Sequence, residues 1–146
     1  MPFAIARRLF LLAAAAVAAC PLPAAAQPVS AADARAIRSV VEAQLEAFAS
    51  DDAPRAFSYA APTLRESIGS PDRFMAMVRA GYPVVYRPAS VTFLAPVRVQ
   101  GQTVQGVHFT DAAGALFLAT YRLERQPDRS WRISGCDVQP SAGKMT

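Results

Sequence analysis

Cysteine is almost missing from this 146-residue chain, which has only Cys20 and Cys136. Histidine, tryptophan and lysine occur once each, as His108, Trp131 and Lys144. Two cysteines cannot make a disulfide framework. One histidine with no Cys, Asp or Glu near it at ligand spacing makes no metal site, so no metal and no cofactor is expected. The net charge is +4. Apart from Arg7 and Arg8, the 13 basic residues are scattered, as at Arg35, Arg38, Arg55, Arg65, Arg73, Arg79, Arg87 and Arg98, and form no polybasic stripe. Nucleic acid is therefore not expected as a partner. The apolar run Leu9–Ala19 has 11 residues, far short of the about 20 that span a hydrocarbon core.

What is present at the start of the chain is an export signal. Arg7 and Arg8 precede the apolar run, Pro21 and Pro23 follow it, and Ala24-Ala25-Ala26 supplies a small-residue cleavage site. Residues 1–26 thus read as a signal peptide. Cleavage after Ala26 leaves Gln27–Thr146, without a membrane span and with a net charge of +4 − 2 = +2 once Arg7 and Arg8 are gone. The expected location is periplasmic or secreted, in a bacterium. The alternative is lipidation: Val17-Ala18-Ala19-Cys20 resembles a lipobox and would anchor the protein through Cys20. Either route leaves Cys136 without an intrachain partner, and it is expected as a buried free thiol.

The mature chain is long enough for one domain with a single core. Residues 27–35 read as a linker and helix start, 36–138 as the domain, and 139–146 as a tail. Ser30 and Asp33 predict a capped helix from about Ala31 to Ser50, with Ile37, Val40, Val41, Leu45 and Phe48 on one face. Asp51-Asp52 ends it and caps a short helix around Ala56, Phe57 and Ala60. Leu64–Ile68 predicts one further turn. Ser70-Pro71 starts another helix that buries Phe74, Met77 and Val78 and stops at Gly81. Met75 is also expected in the core. Pro83 and Pro88 then bracket an extended crossover.

Four strand-like runs follow: Ser90–Val99, Thr103–Thr110, Ala115–Arg125 and Trp131–Val138, divided by Gly, Pro and Asp turn signals. Short connections predict an antiparallel meander of about four strands with the helices on one face, an α+β arrangement. Alternation places Val91, Phe93, Ala95, Val97 and Val99 on one face. It also opposes Val107 and Phe109 to Gly106 and His108, and Phe117, Ala119, Tyr121 and Leu123 to Leu116, Leu118, Thr120 and Arg122. Trp131 and Ile133 oppose Arg132 and Ser134, and Gly135 marks a bulge. Leu116 and Leu118 suggest a homodimer contact.

The text of the chain also carries a resemblance. Gln44-Leu45-Glu46-Ala47-Phe48 leads to Asp51-Asp52 and then Ala56-Phe57-Ser58-Tyr59-Ala60-Ala61-Pro62. Phe74-Met75-Ala76-Met77-Val78 leads to Tyr82-Pro83-Val84-Val85-Tyr86-Arg87-Pro88, and Trp131-Arg132-Ile133-Ser134-Gly135-Cys136 closes the domain. Over about Ala36–Val138 this resembles the bacterial domain-of-unknown-function family 4864 (DUF4864). The helices-then-sheet order is similar to the cone-shaped nuclear-transport-factor-2-like fold of ketosteroid isomerases and polyketide cyclases. Gly69 departs from the aromatic usual there. The resemblance implies a fold with an internal cone and no particular activity.

Candidate chemistry is sparse. His108 falls on the face away from the helices and reads as a structural or surface residue rather than a general base. Asp111 and Asp128 lie in turns, and Glu124 and Asp137 near strand ends. No carboxylate falls mid-strand on the apolar face, so no catalytic residue is assigned. Tyr59, Tyr82, Tyr86, Arg87, Tyr121 and Trp131 are the candidate ligand-binding residues, aromatics with polar tips and one arginine. Their alternative role is core packing, with Arg87 in a structural ion pair. The expected function is a small exported domain that binds an apolar or amphipathic ligand in the cone. The alternatives are an isomerase or hydro-lyase of the ketosteroid-isomerase or polyketide-cyclase type, and a lipid-anchored structural or partner-binding module.

Overall fold

In the computed structural model, which describes residues 25–141, three helices begin where a side-chain oxygen closes the first turn. Ser30 accepts from the Asp33 amide at 3.1 Å and opens α1 (Ala31–Ala49). Asp52 accepts from the Arg55 amide at 3.1 Å and opens α2 (Ala53–Ser58). Ser70 accepts from the Arg73 amide at 3.2 Å and opens α4 (Pro71–Gly81). Each bond satisfies one of the amides that a helix start leaves unpaired. Between them, α3 (Pro62–Ile68) has no side-chain cap and starts on Pro62, whose fixed φ suits a first turn. Pro62 therefore opens a helix in addition to limiting the one before it. The signal peptide and Cys20 lie outside the described residues. Among the described residues, no helix is long and apolar enough to cross a membrane.

The buried stripe of α1 is Ile37, Val41, Gln44, Ala47 and Phe48. Val40 and Leu45 pack at its flanks, and buried Gln44 replaces them at the centre. In α4 the buried residues are Phe74, Met75 and Val78, while Met77 is 41% exposed. The expected stripe was thus rotated by part of a turn. Phe74 sets that rotation: its ring packs against Phe48 at 5.5 Å and Phe57 at 5.9 Å, both tilted. Pro83–Val84–Val85–Tyr86 is not extended as expected but forms one helical turn, α5 (Pro83–Tyr86). Pro83 tolerates the first turn as Pro62 does, and the turn buries Val84 and Val85.

Among the described residues the sheet has six antiparallel strands, against an expectation of about four: β1 (Gln27–Pro28), β2 (Ser90–Phe93), β3 (Val97–Val99), β4 (Gln102–Thr110), β5 (Leu116–Arg125) and β6 (Trp131–Pro140). The order is β1-β3-β4-β5-β6, with β2 also on β4. The domain is α+β, with the core between helices and sheet. The predicted first strand, Ser90–Val99, is broken. Val91 and Phe93 pair with Phe109 and Val107 on the helix side, but Val97 and Val99 pair with Val104 and Gln102 on the other. Four of the five residues expected on one face therefore divide between two, and Ala95 falls in the break. The break at Leu94–Pro96 is held by Gln105, 1% exposed, whose amide donates to the Leu94 carbonyl at 2.6 Å and the Gly106 carbonyl at 2.7 Å.

The phases of β4 and β5 follow the alternation. Val107, Phe109, Ala119, Tyr121 and Leu123 are buried. His108 lies opposite Thr92 and Leu118 on the far face, half-buried. Leu116 and Leu118 share that face. On β6 the register slips: Arg122 faces Gly135, but Leu123 faces Ile133. Ser134 is the extra residue of a bulge, which turns Cys136 and Val138 to the same side as Trp131 and Ile133. The rim of β6 is covered at its start, where Ala61 N–H donates to the Ile133 carbonyl at 2.7 Å and Ile133 N–H to the Tyr59 carbonyl at 2.8 Å.

Candidate functional site

Between α1, α3, α4 and the β5–β6 pair lies a cavity of about 240 Å³. Its floor is Tyr121 and Ile133, and its walls are Phe48, Leu64, Ile68, Phe74, Met77, Val78 and Val85. Gln44, Tyr82, Arg122, Ser134, Gly135 and Cys136 complete it. The bulge at Ser134 brings Cys136 into this wall. No carboxylate and no histidine lies among the lining residues.

Tyr121 is the pivotal polar group. The side chain is 1% exposed, and among the described residues its hydroxyl has no oxygen or nitrogen partner, only the Cys136 thiol beside it. Burial pushes its pKa well above the ordinary phenol value, with the Cys136 thiol beside it adding to the effect. The group therefore remains a neutral phenol, able to donate one hydrogen bond. Cys136 is likewise kept neutral, its thiol pushed up to about 12, chiefly by burial. Gln44 is 3% exposed and uses its amide nitrogen on the Ala56 carbonyl at 3.2 Å. The Tyr121 hydroxyl, the Cys136 thiol and the Gln44 amide thus stand among mostly apolar walls.

Of the six residues that the sequence singles out, Tyr82 and Tyr121 line this cavity and four do not. Trp131 lies in a more polar hollow of about 590 Å³ with Arg98, Arg125 and Thr103, and Arg125 stacks over its ring at 5.7 Å. Tyr59 ends α2 beside Arg55, whose pKa its hydroxyl raises. Tyr86 and Arg87 belong to a cluster around Asp51. Arg87 also borders a third hollow, of about 400 Å³, which shares Tyr82 with the apolar cavity.

The Asp51 cluster joins three segments. Asp51 sits at φ 54 between α1 and α2, a left-handed position that Asp tolerates better than most residues. Its carboxylate accepts from Arg79 at 2.8 Å, from the Tyr86 hydroxyl, and from Arg87 at 3.3 Å. Both guanidiniums lie over the Tyr86 ring, at 5.4 and 4.8 Å. The Arg79 hydrogen bond and then the Tyr86 hydroxyl hold the Asp51 carboxyl below its usual range. Arg87 is therefore in an ion pair, and the cluster fixes α5, whose Val85 is a wall of the cavity.

Arg122 makes an ion pair that sequence reasoning missed. Alternation put it on the far face, and its backbone is there, opposite Gly135. Its side chain lies on that same face over Gly135, which has no side chain to displace it, and is ion-paired with Asp137. A Cβ on Gly135 would lie 2.8 Å from the guanidinium carbon and 3.0 Å from Nε. A mid-strand glycine is the available signal, since it marks close approach of another group.

A family model described as a domain of unknown function, DUF4864, matches residues 30–146. No curated protein and no solved structure matches the chain.

Proposed function

The chain belongs to the DUF4864 family, and we propose that it is an exported binding domain that holds a small apolar or amphipathic ligand between its helices and its sheet. The observation that carries this reading is the Tyr121 hydroxyl, buried with no oxygen or nitrogen partner among the described residues at the wall of an apolar cavity. A buried donor left unmade costs about 1–3 kcal/mol, and folded proteins rarely keep one without a use. A ligand with one acceptor oxygen would satisfy it, while its apolar body gains about 25 cal/mol for each Å² removed from water.

The lining favours binding over acid–base chemistry. An isomerase or hydro-lyase needs a titratable group within hydrogen-bond reach of the substrate proton. On the helix side of the sheet the lining offers neutral Tyr121, neutral Cys136 and an amide. The layering of helices on one face of an antiparallel sheet supports the cone reading of the fold. The pairing of Gln27 with Arg98 supports a domain that starts at the expected cleavage point after Ala26. Export to a periplasm or exterior rests on the signal-like first 26 residues.

The test is a ligand screen read by thermal unfolding, run beside an isomerase assay on ketosteroid-like substrates. Ligands are expected to raise Tm in the parent protein and not in Leu64→Trp, which fills the chamber. Turnover lost on substituting Tyr121 would replace this reading with a catalytic one. Stabilisation that persists in Leu64→Trp would move the ligand elsewhere.

A further inference from the structure

Two hollows follow one another along the helix side of the β5–β6 ladder. The apolar cavity rests on the pair Tyr121 and Cys136. The third hollow rests on the pair Phe117 and Pro140, with Val138 beside it. Tyr121 and Phe117 are four residues apart on one strand, or about 13 Å at about 3.3 Å per residue. Ala119 stands between them, opposite Val138, and is the smallest side chain on that face of β5. The floor is therefore low where the two spaces meet.

The facing wall runs the same way. Val85 of α5 borders the apolar cavity and Val84 the outer hollow. Tyr82 borders both. Its main chain is pinned: its amide donates to the Val78 carbonyl at 2.9 Å, and its carbonyl accepts from the Val85 and Tyr86 amides at 3.0 and 3.1 Å. Its side chain is only half-buried. The space beside it is open, since a Cβ on Gly81 would meet nothing within 4 Å. The ring thus has room to turn while its backbone stays fixed.

We propose that the two hollows form one elongated site partitioned by Tyr82, and that its ligand is a neutral, unbranched aliphatic chain ending in a single oxygen, such as a long-chain alcohol or ketone. The inference rests on the binding reading above and names its ligand class. The oxygen accepts from the Tyr121 hydroxyl in the inner chamber. The chain runs outward over Ala119, passes the Tyr82 ring and ends between Val84, Phe117 and Val138. A compact ring system of equal carbon count would leave the outer hollow unused. The Arg122 guanidinium is on the far face with Asp137, so the inner lining holds no charge on the helix side to match an ionised head. A carboxylate would lose its hydration there without a partner.

The experiment uses the purified protein and five probes: hexanol, octanol, decanol, decanoate, and adamantanol, a compact alcohol with the carbon count of decanol. Binding is read by calorimetry at fixed pH and salt. Affinity is expected to rise roughly three- to fourfold per methylene from hexanol to decanol, the increment for a methylene removed from water. Decanol should bind at least about tenfold tighter than decanoate, because the buried carboxylate goes unpaired. Adamantanol should bind more weakly than decanol. Val138→Trp fills the outer hollow; it should leave hexanol unchanged and cancel the gain from hexanol to decanol. Tyr82→Trp thickens the partition and should do the same, whereas Tyr82→Ala should keep the gain. Unliganded unfolding curves establish that each variant folds.

A length gain that survives both Val138→Trp and Tyr82→Trp, or adamantanol binding as tightly as decanol, would overturn the elongated site and leave the inner cavity as a binding site. Decanoate binding as tightly as decanol would overturn the neutral head. A length gain seen only in a chain ending at Ser141 would show that residues 142–146 fill the outer hollow, and would overturn the proposal. Failure of every alcohol to bind would count against both readings.

Discussion

Tyr121 and Cys136 face each other across β5 and β6 on the cavity side, and the extra residue Ser134 is what puts them there. Without the bulge, strict alternation from Ile133 would turn Cys136 to the far face. The phenol would then meet no sulfur and the chamber would lose one wall.

The Tyr121 hydroxyl, without an oxygen or nitrogen partner among the described residues, should lower the stability of the unliganded protein. Tyr121→Phe is expected to stabilise it by about 1 kcal/mol in urea unfolding, by removing an unmet donor while keeping the ring. A loss of stability of the same size would show that the hydroxyl has a structural partner.

Cys136 should react slowly and set an alkaline limit. With its thiol at about 12, alkylation of the native protein at pH 8 should be on the order of 10³-fold slower than that of a free thiol near 8.5. The sign for stability follows from linkage. The unfolded thiol loses its proton first, so stability is full below about pH 9 and falls as pH rises toward 12. Cys136→Ala should flatten that part of the profile. Rapid labelling at pH 8, or a disulfide-linked dimer on a non-reducing gel, would contradict the buried, neutral thiol.

Asp51 combines a left-handed backbone with three donors, and substitutions can separate the two roles. Asp51→Asn keeps a side chain that tolerates positive φ and should destabilise less than Asp51→Ala, and that less than Asp51→Val. Because the folded carboxyl is held below its usual value, its contribution is present above about pH 4 and fades as pH falls through the folded value. Urea midpoints at pH 7 and pH 3 measure both effects. Equal losses for Asn and Val would remove the backbone from the explanation.

Gln105 should be the most sensitive polar residue. Gln105→Leu leaves the Leu94 carbonyl without its side-chain donor and is expected to cost about 1–3 kcal/mol in chemical denaturation. A neutral outcome would show that water or the neighbouring chain replaces the amide.

Local chemistry made much of the fold legible in the sequence. Ser30, Asp52 and Ser70 announce helix starts because a short polar side chain can bond only nearby amides, and all three do. The alternation in β4 and β5 was readable because alternate residues are buried from Thr103 to Phe109 and from Ala119 to Leu123. The break after Phe93 was not, since Val97 and Val99 are as apolar as Val91 and only pairing to β4 decides their side. The site was half legible. Tyr82 and Tyr121 lie where periodicity and aromatic content suggested, in the cavity wall. The Arg122–Asp137 pair on the far face escaped notice because it depends on the missing side chain of Gly135, a residue thirteen positions away in the chain.

The joint at Leu94–Pro96 has a consequence for how the chain tolerates length changes. Along β4 and β5 a residue's side follows from counting in twos. Here Phe93 and Val97 are an even number apart and yet point to opposite sides. The joint therefore acts as a half-turn inserted between two rulers, and its residue number sets which side of β3 reaches inward. Losing or gaining a single residue there would reverse β3, sending Val97 and Val99 toward the helices. Arg98 would then turn away from the hollow it shares with Trp131. Substitutions at Ala95 can be absorbed; a one-residue deletion redraws one wall of the domain.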